Sequence, residues 1–212
     1  MNTADGKALY DERLNRMADN IALRETDRVP YTFWPTFWPA TLAGISYKEA
    51  WYDVDKMVDA TREAMHLLDP DSFSPLIFSF GPVMEALGYK AMYWPGKGVG
   101  DNVTFQYLDD EYVSADEYDD YLFDPTGFYL KSYLPKIATA FEGFANMPRL
   151  PSLSEWRFFA SLSAFADPKL QESMKQLMES GEKMAEILSA GGKFIGEMAD
   201  EGYPLSVGGF CK

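Results

Sequence analysis

Residues 28–39 read RVPYTFWPTFWP, with the word Thr-Phe-Trp-Pro written twice, at 32–35 and again at 36–39. Proline has no amide proton and a fixed φ. The interior of a helix and the centre of a sheet are therefore both closed to this stretch. Val29, ahead of Pro30, is pushed toward extended backbone. Phe33, Trp34, Phe37 and Trp38 carry too much apolar surface for a plain solvent loop. The segment must be a short strand, 29–33, feeding a rigid aromatic loop, 34–39. Such a loop either fills a core beneath the first helix or lines a pocket.

The flanking sequence supplies the elements that this segment would join. Residues 5–25 read as a helix, with Leu9, Leu14, Met17 and Ile21 at helical spacing. Ser46 and Glu49 have the spacing of a capping box. The helix they open runs to about Leu68, with Trp51, Val54, Met57, Val58, Thr61, Met65 and Leu68 on one face and Asp53 able to recap it midway. Asp69-Pro70-Asp71 is a stop. Residues 72–78 read as a second extended piece, ended by Gly81-Pro82, and 83–87 as a short helix closed by Gly88. Residues 89–101 look irregular, and 103–108 with 112–113 alternate like a β-hairpin around Asp109-Asp110-Glu111.

A second capping box, Ser114 to Glu117, and the pair Asp124-Pro125 each open a short helix. Residues 135–145 and 154–164 are helical, with a linker at 147–154. Asp167-Pro168 starts the longest helix, to about Ala190. Its expected inward face is Leu170, Met174, Leu177, Met178, Met184, Ile187 and Leu188. Gly191-Gly192 breaks it, a last helix covers 193–200, and 205–207 form a third strand. Strands separated by helices predict an α/β fold with parallel strands, in one domain spanning 1–212.

Charge narrows the partners. The formal net charge is −14, from 33 acidic and 19 basic residues, so nucleic acids and anionic membrane surfaces are excluded as partners. No run approaches the roughly 18 apolar residues of a membrane span, and the polar N-terminus lacks a signal peptide's apolar core. One cysteine, Cys211, permits no internal disulfide. These features predict a soluble, cytoplasmic protein.

Several segments in order resemble the uroporphyrinogen decarboxylase superfamily. They are TDRVPYTFW, SYKEAWYDVDKMVDATREAMHLLDPDSF, EALGYKAMYWPG, DDEYVSADEYDDYLFDP and EMADEGYPLSVGGFCK. The resemblance spans essentially the whole chain. It is nearest the bacterial decarboxylase-like branch, which includes corrinoid-dependent methyltransferases. It implies the N-terminal part of a (β/α)₈ TIM barrel, with a helical N-terminal extension and a β-hairpin insertion. A full barrel of this kind needs roughly 250 residues, so the resemblance implies a chain that continues beyond Lys212. It places the loop after the first strand at the mouth of the site. Trp34, Thr36, Phe37 and Trp38, with Ser79 and Phe80 after the second strand, then line a small-molecule pocket.

The same resemblance separates the branches. The porphyrin-pathway decarboxylases carry an arginine-rich loop after the first strand, which grips the substrate's carboxylates bidentately. They also carry an aspartate after the second strand, facing the pyrrole nitrogens. Here Arg28 precedes the strand, the loop is Trp-Pro-Thr-Phe, and the second position reads Phe78-Ser79-Phe80-Gly81. Methyl transfer is therefore the favoured activity. Uroporphyrinogen decarboxylation and a non-catalytic half-barrel that needs a partner are the alternatives. Some relatives hold zinc, and others pass a methyl group to a corrinoid on a partner protein. One His and one Cys cannot build a zinc site, so no cofactor is expected on this chain alone. The expected partners are a small substrate and a corrinoid protein or a second copy. His66 is read as structural or surface, Cys211 as a small buried residue. Ser79 is read as a turn residue rather than a nucleophile. The glycines at 96–100 lack the phosphate-loop pattern.

Overall fold

The computed structural model describes residues 3–74, 77–148 and 155–206. Expectations for 75–76, for 149–154 in the linker, and for 207–212, Val207 and Cys211 included, lie outside these residues. The chain forms a mixed α/β fold, mostly helical, in two compact units. One holds 1–80, 101–104 and 185–212; the other holds 81–100 and 105–184.

The first unit opens with helix α1 (Thr3–Ile21), where Leu9 and Met17 of the expected inward face are half-buried but the fully buried side chains are others. Arg13 and Arg16 are inside, while Leu14 and Ile21 are exposed. Acceptors far away in sequence decide this. Arg13 donates to the Gly202 carbonyl at 2.9 Å and pairs with Asp69, and its guanidinium lies 4.2 Å from the centre of the Tyr203 ring. The helix can come this close because Gly6 has no side chain; a Cβ there would overlap the carbonyl oxygen of Asp200.

Strand β1 (Thr32–Phe33) is shorter than the expected 29–33, and Val29 stands exposed. Helix α2 (Trp38–Leu42) follows at once, with Pro39 in its first turn, where a missing amide proton costs nothing. The aromatic loop is thus only Trp34–Phe37. Helix α3 (Tyr47–Tyr52) carries the expected capping box. The Glu49 amide donates to Ser46 Oγ at 3.1 Å, and the Ser46 amide donates to Glu49 Oε2 at 3.0 Å. Extended backbone at Asp53 ends α3. Its carboxylate caps α4 (Val54–Leu68) through the Lys56 amide, as expected. Met57, Val58, Ala60, Thr61, Ala64 and Met65 are the buried stripe of α4. Asp69, in the left-handed region at φ 48°, closes it.

Strand β2 (Ser72–Phe73) pairs parallel with β1, Thr32 opposite Ser72 and Phe33 opposite Phe73. Leu205 adds a third parallel position beside Phe73. The Phe73 amide donates to the Pro204 carbonyl and the Ser206 amide donates to the Phe73 carbonyl. Phe73, Met57, Met65, Ile77, Phe194 and Met198 pack into one core around this parallel set.

The second unit begins with α5 (Gly81–Leu87), closed by Gly88 in the left-handed region. Residues expected to be irregular contain β3 (Met92–Pro95) and β4 (Gly98–Val99). The anticipated hairpin between 103–108 and 112–113 does not form among the described residues. Strand β5 (Gln106–Tyr107) pairs antiparallel with β3 instead, Met92 opposite Tyr107. Trp94 is almost wholly buried on β3, and the Leu108 amide donates to the Ala91 carbonyl at 3.0 Å beside the β3–β5 pair.

The Ser114/Glu117 box opens a 3-10 turn, Ala115–Glu117, that runs into helix α6 (Tyr118–Phe123), and Asp124-Pro125 opens α7 (Pro125–Phe128) where expected. A wider turn at 129–133 joins α7 to α8 (Leu134–Ile137). Ala138 is extended, so the helix expected over 135–145 is interrupted there. Helix α9 (Glu155–Ser161) leads to α10, a single helix from Pro168 to Asp200. The expected break at Gly191-Gly192 is absent. Each glycine costs a helix about 1 kcal/mol. Burying Phe194 and Met198 beyond them contributes roughly 1.5–3 kcal/mol apiece. The buried seam of α10 is Leu170, Ser173, Ser180, Ile187, Gly191, Phe194 and Met198. Met174, Met178 and Leu188, expected inside, are exposed.

Candidate functional site

The parallel pair β1–β2 has two ends of opposite chemistry. At the N-terminal end, Asp71 is fully buried and accepts from Arg16 Nη1 at 2.6 Å, Arg28 Nη2 at 2.7 Å and the Tyr31 amide at 3.1 Å. Burial alone would raise its carboxyl. The hydrogen bonds from Arg28, the Tyr31 amide and Arg16 outweigh that and hold it below the usual carboxylate range. Arg16 also meets Asp27 and Glu12, each at 2.6 Å. The Asp27 hydrogen bond leads in holding its guanidinium charged, and the reciprocal contact lowers the Asp27 carboxyl. Tyr203 donates to Asp69 at 3.1 Å. Burial first, and the Asp69 charge second, push its phenol up. Among the described residues, the buried side-chain donors of this cluster all have partners except Arg13 Nε.

The C-terminal end is aromatic. Phe37 is buried, stacked on Tyr47 with ring centres 4.8 Å apart, 5.4 Å from Trp51 and 6.3 Å from Phe78. Phe80 meets Trp51 edge-on at 5.8 Å and Phe78 at 6.2 Å. Trp38, half-exposed at the start of α2, stands edge-on to Phe33 at 6.2 Å. Trp34 is 56% exposed, and Thr36 faces solvent. The wall is built by two local devices. Prolines hold the loop after β1, and the Ser46–Glu49 box fixes α3 so that Tyr47 and Trp51 face Phe37.

Of the six residues read as pocket lining, Phe37, Ser79 and Phe80 belong to this cluster, while Trp34, Thr36 and Trp38 are exposed, Trp38 against Phe33. The core reading of the loop holds for Phe37, which packs on Tyr47 and Trp51 of α3. Its buried ring fills the core, and its neighbours Trp34 and Trp38 lie open. Ser79 is buried, and its hydroxyl donates to the Trp51 carbonyl at 3.4 Å. That is a long, structural contact with no base beside it. Tyr47, Trp51 and Phe78 were not read as site residues. The helical stripe of α3–α4 already marked Trp51 as inward-facing, but nothing local in sequence showed which rings it would meet.

Beside Tyr47 lies an open concavity of about 560 Å³ lined by Thr41, Ile45, Ser46, Tyr47, Glu49 and Asn102. The Thr41 and Tyr47 hydroxyls are 3.0 Å apart, and Asn102 Oδ1 accepts from the Tyr47 amide. Lys56, at 2.8 Å, is the main cause that lowers the Glu49 carboxyl to about 2, with the Ser46 contacts adding to it.

His66 lies away from the aromatic wall, on α4, with Nε2 2.6 Å from Glu201. Among the described residues no three His, Cys, Asp or Glu side chains gather as a metal-holding group. No helix among them is long and apolar enough to cross a membrane. The chain matches no family model, and no curated protein or solved structure is significantly similar to it.

Proposed function

We propose that the chain is the N-terminal part of a uroporphyrinogen decarboxylase-type barrel, and that the aromatic end of its parallel strands is the mouth of a site for an apolar or methoxylated aromatic small molecule. What supports the barrel reading is the parallel set β1, β2 and Leu205, with helices between its members. In barrels of this class the chemistry sits at the C-terminal ends of the strands and the opposite end serves stability. The aromatic wall and the closed ion-pair cluster are distributed in that sense.

The single observation that carries the ligand class is the wall of Phe37, Tyr47, Trp51, Phe78 and Phe80 with the exposed rings of Trp34 and Trp38 beside it. Aromatic faces and edges bind a flat apolar ligand through stacking and area burial. A polycarboxylate substrate needs arginine forks instead. Arg28 is spent on Asp71, and Arg62 on Asp59 and Glu197. This favours the methyl-transfer branch, working with a partner-borne corrinoid, over porphyrin decarboxylation.

The test is calorimetric titration of the protein with 3-methoxybenzoate, with tryptophan fluorescence followed in parallel. Saturable binding with quenching, lost in Trp38→Ala, is the expected result. Absence of both heat and quenching, in a protein shown to be folded, overturns the reading.

A further inference from the structure

We propose that the acidic, aromatic surface of residues 105–130 in the second unit docks a partner protein through a basic amphipathic segment. This inference is independent of the aromatic wall. Residues 105–130 contain eight Asp or Glu and no Lys or Arg. Among the described residues, only Glu117 of these eight is paired with a base, Lys136 at 2.6 Å.

The same stretch exposes apolar surface. On α6, Leu122 is 71% and Phe123 76% exposed, with Tyr118 and Tyr121 also open, and none of the six residues of the helix is buried. A two-turn helix that hides nothing gains little from its own fold. Leu122 and Phe123 are largely exposed beside Asp119 and Asp120. Next to them a groove of about 190 Å³ is lined by Asp120, Phe123, Asp124, Phe128 and Lys131. It has room for one long side chain.

Charge complementarity selects the occupant. An arginine lays its apolar stem on an aromatic face while its fork engages a carboxylate, and this surface offers both at adjacent positions. A second copy of this chain would bring like charges together, and nucleic acid is repelled.

The test uses a fluorescein-labelled peptide of alternating arginine and leucine pairs, followed by anisotropy with the full chain. Any polycation is drawn to a protein of charge −14, so the deciding variant keeps the charge. Leu122→Ser/Phe123→Ser should weaken binding about tenfold. Asp119→Asn/Asp120→Asn should weaken it about threefold at low salt, with the gap closing as salt rises. Circular dichroism checks that both variants fold; all four substituted side chains are exposed. Three results overturn the proposal. They are an affinity unchanged by Leu122→Ser/Phe123→Ser, equal binding of a leucine-free oligolysine, or no binding of the peptide. A doubled mass in light scattering that Leu122→Ser/Phe123→Ser abolishes assigns the surface to self-association instead.

Discussion

The two ends of the β1–β2 pair are only a strand's length apart, yet they are built on opposite principles. The N-terminal end buries charge. Asp71 is enclosed, and Arg16 and Arg28 reach it from either side of the turn that leads into β1. The C-terminal end buries rings and leaves others in water. Around buried Asp71 and Arg16 the hydrogen bonds fix each partner's place, so this end positions the chain. The site proposed at the aromatic end uses the rings left exposed, since an aromatic face needs no specific partner. The division of labour between the two ends follows from that difference.

The hardest way to break the polar end is Asp71→Ala. It removes the acceptor for Arg16, Arg28 and the Tyr31 amide together. Arg16 keeps Asp27 and Glu12, but losing three hydrogen bonds to a buried carboxylate, at about 1.5–3 kcal/mol each less the part that water recovers, costs about 3–5 kcal/mol. Urea unfolding followed by fluorescence should show a loss of that size. A loss under about 1 kcal/mol would mean that water replaces Asp71 easily and that the cluster is no strut.

At the aromatic end, Phe37→Ala should cost about 3 kcal/mol, the usual range for a buried ring. The effect should be independent of salt and pH, in contrast to Asp71→Ala. If both variants respond equally to salt, the contrast between the ends is wrong.

Acid should separate the ends as well. Asp71 and Asp27 are held below their usual values, so the unfolded chain binds more protons than the folded one as pH falls. Their stabilisation is present above the unfolded carboxylate pKa, about 4. It is lost as pH drops toward their lower folded values. Glu49 and Glu117, each lowered to about 2, act in the same direction. Urea midpoints should therefore fall below about pH 5. The fall should be shallower in Asp71→Asn and unchanged in slope in Phe37→Ala.

The smallest expected effect is Trp34→Ala. Its ring is mostly exposed, so stability should move by no more than about 0.5 kcal/mol, while binding of 3-methoxybenzoate should weaken measurably. A large loss of stability there would make Trp34 part of the core and remove it from the site.

What the sequence by itself determined is the punctuation of the fold. Ser46 with Glu49, Asp53, Ser114 with Glu117, and Asp124-Pro125 all start helices where their types and spacing say they should. A cap is satisfied within four residues, so its hydrogen bonds can be read locally. The apolar stripe of α4 was legible for the same reason, and so was the order of the parallel segments.

The tertiary structure decided which face of α1 goes inside. Arg13 and Arg16 displaced Leu14 and Ile21 because their acceptors, Asp69, Asp71 and Gly202, lie more than fifty residues away. It carried α10 through Gly191-Gly192, because the rings and sulfur beyond them bury against Phe73 and its neighbours. It paired β5 with β3 rather than with the next segment. It also gathered Phe37, Tyr47, Trp51, Phe78 and Phe80 into one wall. In each case the deciding partner is remote in sequence. Local spacing records the side chain's chemistry but not the neighbour that will bury it.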